Sequence, residues 1–63
     1  MTRKWLENRR KDSKLTEAEI CKRVGISITY YRYIEIGQRR PSPQVAQKIA
    51  EILDFDWTLF FKP

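Results

Sequence analysis

The sequence predicts a single all-α unit over residues 1–63, built from five short helices. Three observations predict it. Apolar residues recur at helical spacing, most clearly over residues 45–53. Nowhere is there the sustained apolar/polar alternation of a half-buried strand. Five stretches open on side chains suited to cap helices: Thr2, Thr16, Ser27, Ser42 and Asp56. A chain of 63 residues buries only about 60% of its unfolded surface, so the core must be efficient. Leu, Ile, Val and Phe make up 16 residues, enough for a small core. With one cysteine and no histidine, neither an internal disulfide nor a zinc site is expected.

Helix 1 is expected from about Arg3 to Lys11, with Thr2 as N-cap and Trp5 and Leu6 as its thin apolar content. Helix 2 follows Thr16. The run "TEAE" is a capping box, in which the Thr16 hydroxyl accepts from the Glu19 N–H and the Glu19 carboxylate reaches back. Ile20, Cys21 and Val24 form its inward face, and Lys22 and Arg23 complement the dipole of its last turn. Gly25 then supplies a positive φ. Only Ile26 separates Gly25 from Ser27, the N-cap of helix 3. Two helices joined by a tight turn with a glycine and an apolar plug have the layout of a helix-turn-helix.

Helix 3 is expected from about Ile28 to Ile36, closed by Gly37. At about 100° per residue, Tyr31 and Ile34 face one way, and Ile28, Thr29, Arg32 and Tyr33 face the other, with Tyr30 at the boundary. Ser42 and Pro43 start helix 4, which runs to Leu53 with Val45, Ala46, Ile49, Ala50 and Leu53 on one face. Asp56 caps a short helix 5 over residues 57–61. Trp5, Trp57, Phe60 and Phe61 form an aromatic group read as core in preference to a dimer contact.

The formal net charge is +5, and it is one-sided: residues 1–40 carry +6, residues 41–63 carry −1. Cationic charge gathered in one part of a small domain points to a polyanionic partner. An outward stripe of Ile, Thr, Arg and Tyr solvates poorly but suits a DNA major groove, where Arg reads guanine O6/N7 and methyl groups meet thymine. No apolar run approaches a membrane span, and no signal-like stretch opens the chain, so a cytoplasmic location is expected. Without histidine, a phosphate-binding glycine loop or a paired carboxylate, no enzyme activity, cofactor, metal or small-molecule ligand is expected.

The stretch "LTEAEICKRVGISITYYRYIEIGQRRPS", residues 15–42, resembles the helix-turn-helix core of the phage Cro and repressor (XRE) family. Leu15, Thr16, Ile20, Gly25, Ile26, Ser27, Ile34, Glu35, Gly37, Arg39, Pro41 and Ser42 carry the match, and "AEILDFDWTLF" extends it to the C-terminal part. The resemblance implies a compact five-helix, lambda-repressor-like DNA-binding domain in which helix 3 enters the major groove. It places Ile28, Thr29 and Tyr33, with Arg32 beside them, on bases. Thr16, Glu17, Tyr30, Arg39 and Arg40 fall on phosphates, and Arg10 with Glu35 in an internal salt bridge. The implied partner is double-stranded DNA, bound by a homodimer on a palindromic operator, and the implied role is transcriptional repression.

The chain departs from the family pattern at five positions. Glu17 stands where Gln is usual, and an ionised carboxylate cannot donate to a phosphate and repels it. Cys21 replaces a typical Ala, while Lys14 and Asp54 stand where Gly is frequent. Ile28 is less polar than the usual reader. Glu17, Ile28, Phe60 and Phe61 motivate an alternative: a protein-interaction module of the same fold, antitoxin- or antirepressor-like, with little DNA readout.

Overall fold

Side-chain caps set the start of every helix after the first. A computed structural model describes residues 2–62. Its elements are α1 (Lys4–Asp12), α2 (Glu17–Val24), α3 (Ile28–Glu35), α4 (Pro43–Leu53) and a closing 3₁₀ helix (Trp57–Phe61), with no strand among the described residues. The Thr16 hydroxyl accepts from the Glu19 N–H at 3.1 Å, and the Glu19 carboxylate accepts from the Thr16 N–H at 2.9 Å, completing the capping box. Ser27 caps α3 through the Tyr30 N–H, and Ser42 caps α4 through the Val45 N–H, with Pro43 in the first turn. Asp56 accepts from the Thr58 N–H at 3.0 Å, starting the closing helix.

Helix α1 lies one residue further along than the expected Arg3–Lys11, at Lys4–Asp12, and α3 ends one residue early. Thr2 does not cap α1; Arg3 occupies that position and makes no side-chain cap bond. Its own N–H is donated instead to the Glu35 carbonyl at 2.8 Å, which ties the chain entry to α3. Helix α3 ends at Glu35, not Ile36, because Gly37 turns into the left-handed region at φ 85 and pulls the chain out of the helix. The fifth helix is a single stretch of 3₁₀ geometry, so the architecture is four α-helices plus that closing turn. Lys14 (φ 62) and Asp54 (φ 59) both take left-handed backbone, the conformation glycine would supply without a Cβ penalty.

Leu6, Ile20, Tyr31, Ile34, Ala46 and Ile49 are wholly buried, and Cys21, Val24, Leu53 and Phe60 nearly so. Each large aliphatic member contributes about 1.5–3 kcal/mol by leaving water. Helix α4 backs the core against α2 and the closing helix, and α3 is held between α1 and α2. Trp5, Phe55 and Phe60 meet edge-to-face, with centroids 5.2 Å (Trp5–Phe55), 5.2 Å (Trp5–Phe60) and 5.5 Å (Phe55–Phe60) apart, sealing α1 to the C-terminal segment. Phe60 is thus core, whereas Phe61 is exposed. The domain measures 27 × 21 × 20 Å along its principal axes.

Candidate nucleic-acid interface

The α2–α3 turn fixes the orientation of the outward stripe. Gly25 adopts φ 87 and donates its N–H to the Cys21 carbonyl at 2.7 Å; the Ile26 N–H shares that acceptor at 3.1 Å. Ile26 lies half-buried against the core, so the turn is plugged and not hinged. The buried Cys21 thiol donates to the Ser27 carbonyl at 3.6 Å. Burial pushes that thiol up from its ordinary range, which leaves it unreactive.

Helix α3 divides cleanly. Tyr31 and Ile34 point into the core at 0% exposure. Ile28 and Tyr33 are each 39% exposed, and Thr29 and Arg32 are open to solvent beside them. Ile36, just past the helix, adds a further exposed apolar side chain. Tyr30 is half-buried at the edge. The four side chains expected on bases therefore share one exposed surface.

Three sets of contacts hold α3 in place. The Arg10 guanidinium grips the Glu35 carboxylate through Nε–Oε2 at 3.1 Å and Nη2–Oε1 at 3.2 Å. That carboxylate holds Arg10 above its ordinary pKa, against the opposing effect of burial. Arg3 reaches across the C-terminal end of α3, donating from Nη1 to the carbonyls of Ile34 and, at 3.0 Å, of Arg39. It thereby ties the last turn of α3, at the Ile34 carbonyl, to the basic loop, at the Arg39 carbonyl. Finally, the Gln38 and Arg39 N–H groups both donate to the Tyr33 carbonyl, at 2.9 and 3.1 Å, folding the basic loop back onto the helix.

The basic loop splits in two. The Arg39 guanidinium lies over the Tyr33 ring at 5.7 Å, next to the exposed stripe. Arg40 turns the other way and lies over the Phe61 ring at 6.0 Å. A cation over an aromatic face is worth about 0.5–1 kcal/mol when exposed, enough to bias both side chains without fixing them.

At the start of α2, Thr16 is taken up by its cap. Glu17, the first residue of the helix, turns its carboxylate toward α3, with Glu17 Oε1 at 3.5 Å from Arg32 Nε. Arg32 remains 66% exposed in this pair and Glu17 26%. Exposed pairs of this kind are worth at most about 1 kcal/mol, so Arg32 is oriented but not immobilised. Among the described residues no group of three or more His, Cys, Asp or Glu is placed to hold a metal, and no helix is long and apolar enough to cross a membrane.

Three of these relationships were not legible from the sequence: the Arg3 staple, the Glu17–Arg32 pair and the Arg39–Tyr33 stack. Each joins groups that share no helical face, so periodicity gives no hint of them.

This arrangement of α2, plugged turn and α3 agrees with comparison to known proteins. The family model described as helix-turn-helix matches residues 6–60. The chain belongs to the XRE-type helix-turn-helix family. It is also 47% identical over 62 residues to an uncharacterized HTH-type transcriptional regulator, YqaF, of Bacillus subtilis (strain 168), covering 98% of this chain and 82% of the relative. In this helix-turn-helix domain α2 and α3 are the two helices of the motif, and α1 and α4 pack against them.

Proposed function

We propose that this chain is a sequence-specific double-stranded DNA-binding transcriptional regulator, acting as a repressor and binding a palindromic operator as a homodimer. One observation carries the reading: Ile28, Thr29, Arg32 and Tyr33 form a single exposed surface on a helix whose opposite face is locked into the core. The named relative is itself described as a transcriptional regulator, which supports the same role. Thr29 and Arg32 supply hydrogen bonds to base edges, and Ile28 and Tyr33 supply apolar contact. Arg39 and Arg40, with Thr16 and Tyr30 at the margins, supply phosphate contacts that set register. A unit this small covers one half-site, so two copies about 34 Å apart are the natural arrangement.

Selection of bound duplexes from a random DNA library tests the reading. An enriched palindromic motif is expected, and the R32A/Y33A variant should lose its preference while keeping its fold. No enrichment at low salt would remove the regulator assignment. The exposed Ile36 and Phe61 favour a second reading, a protein-interaction module. A stable complex with a protein partner, together with absent DNA binding, would favour it.

A further inference from the structure

We infer that Glu17 is a specificity-determining residue that positions Arg32 for a guanine and disfavours phosphate. The inference rests on the DNA-binding reading above and deepens it. Its basis is the atom of Arg32 that Glu17 faces. Glu17 Oε1 approaches Arg32 at Nε, the inner nitrogen of the guanidinium. The two terminal amino groups are left free, and together they form an end-on fork. That fork matches the paired O6 and N7 acceptors of guanine in the major groove.

The surroundings of Glu17 support this role. It stands at the first position of α2, next to Thr16, whose hydroxyl accepts the N-cap hydrogen bond from the Glu19 N–H. The Arg10 guanidinium, already gripped by Glu35, also feels the Glu17 charge. Two glutamates and two arginines thus compensate one another across α1, α2 and α3. Arg32 therefore adds no uncompensated positive charge to this corner of the surface. A phosphate drawn to Arg32 meets the Glu17 carboxylate alongside it. A guanine edge is neutral, accepts the terminal fork, and leaves the Nε side of Arg32 with Glu17. The pair thus separates base from backbone, which a lone arginine does not do.

The test compares the wild-type chain with E17Q, E17A, R32A and R32K. Each is put through the random-library selection, then titrated with a random duplex over a range of salt. The wild type is expected to show a guanine preference at one position of each half-site. E17Q and E17A should weaken that preference up to about fivefold, the most an exposed pair of this kind supplies. On the random duplex both should bind more tightly, with a logarithmic salt slope steeper by about 0.9, the equivalent of one added phosphate contact. R32A should lose the same guanine, and R32K should lose it while keeping the wild-type salt slope, because it retains the charge without the fork. If E17Q and E17A keep the wild-type motif and slope, the positioning role is refuted and the regulator reading stands. A wild type that enriches no motif at all overturns both.

Discussion

Arg10 and Glu35 form a two-pronged ion pair between α1 and the end of α3, with N–O distances of 3.1 and 3.2 Å and side chains only 15% and 9% exposed. The pair is shielded from solvent, so breaking it differs from breaking a surface bridge. E35A leaves the Arg10 guanidinium without its partner and is expected to cost about 3 kcal/mol. In a domain this small that lowers the Tm by roughly 12 °C or more. E35Q keeps an acceptor and should lose less, about 1 kcal/mol. Replacing both residues, as R10M/E35L, should recover most of the loss in E35A. Thermal melts of the four proteins check the ordering, and an E35A melt equal to wild type would contradict it.

Tyr31 fills the core next to this pair at 0% exposure, and its hydroxyl lies beside the Glu35 carboxylate without a hydrogen bond of normal geometry. Burial, reinforced by the neighbouring Glu35 charge, pushes the phenol far above its ordinary pKa, so it stays neutral. An unpartnered buried hydroxyl costs about 1–3 kcal/mol. Y31F keeps the ring and removes that cost, so its denaturant midpoint should equal or exceed that of the wild type. A clear loss of stability in Y31F would mean that the hydroxyl has a partner in solution.

Gly25 shows a cost that is purely conformational. Its φ is 87, and a Cβ built there meets nothing within 4 Å. G25A should therefore cost about 1–2 kcal/mol, the left-handed penalty alone. Urea titration gives the value. A loss beyond about 4 kcal/mol would show that the α2–α3 turn rearranges instead of tolerating the strain.

The capping carboxylates set the acid limit of the fold. The Glu19 carboxyl is held below its ordinary value of 4.5, first by the Thr16 N–H and then by the Thr16 hydroxyl. Asp56 is held below 3.8 by the Thr58 N–H and then the Thr58 hydroxyl. Glu7 is held below 4.5 by Lys11 and Lys4. Depressed folded-state values stabilise the protein above the unfolded pKa, and that stability disappears as pH falls through the folded pKa. The Tm should be flat near neutral pH and fall once pH drops below these ordinary carboxyl values. E19A should melt below wild type at neutral pH, and the two curves should converge in acid. A constant gap down to strong acid would contradict the capping role.

These contacts also show which parts of the molecule can be read from residue order. Thr16, Ser27, Ser42 and Asp56 act on N–H groups two or three residues away, so their caps are local signals. The inward turn of Tyr31 and Ile34 follows from a 100° step along one helix. Arg3 is different: its carbonyl partners lie 31 and 36 residues away, and no nearby pattern announces them. The same holds for Phe55, which joins Trp5 from a loop position outside any helical face. Glu17 is visible as a departure from the family pattern, but its pairing with Arg32 emerges only once the α2–α3 turn brings the two elements together.

The most direct test is a titration of isotope-labelled protein with the library-selected duplex, followed through backbone amide resonances. Shifts are expected to concentrate in residues 27–33 and in the loop at 37–40, while the outer face of α4, at Gln47, Lys48 and Glu51, stays unmoved. Shifts centred on α4, or an α3 that does not respond to saturating duplex, would contradict that expectation.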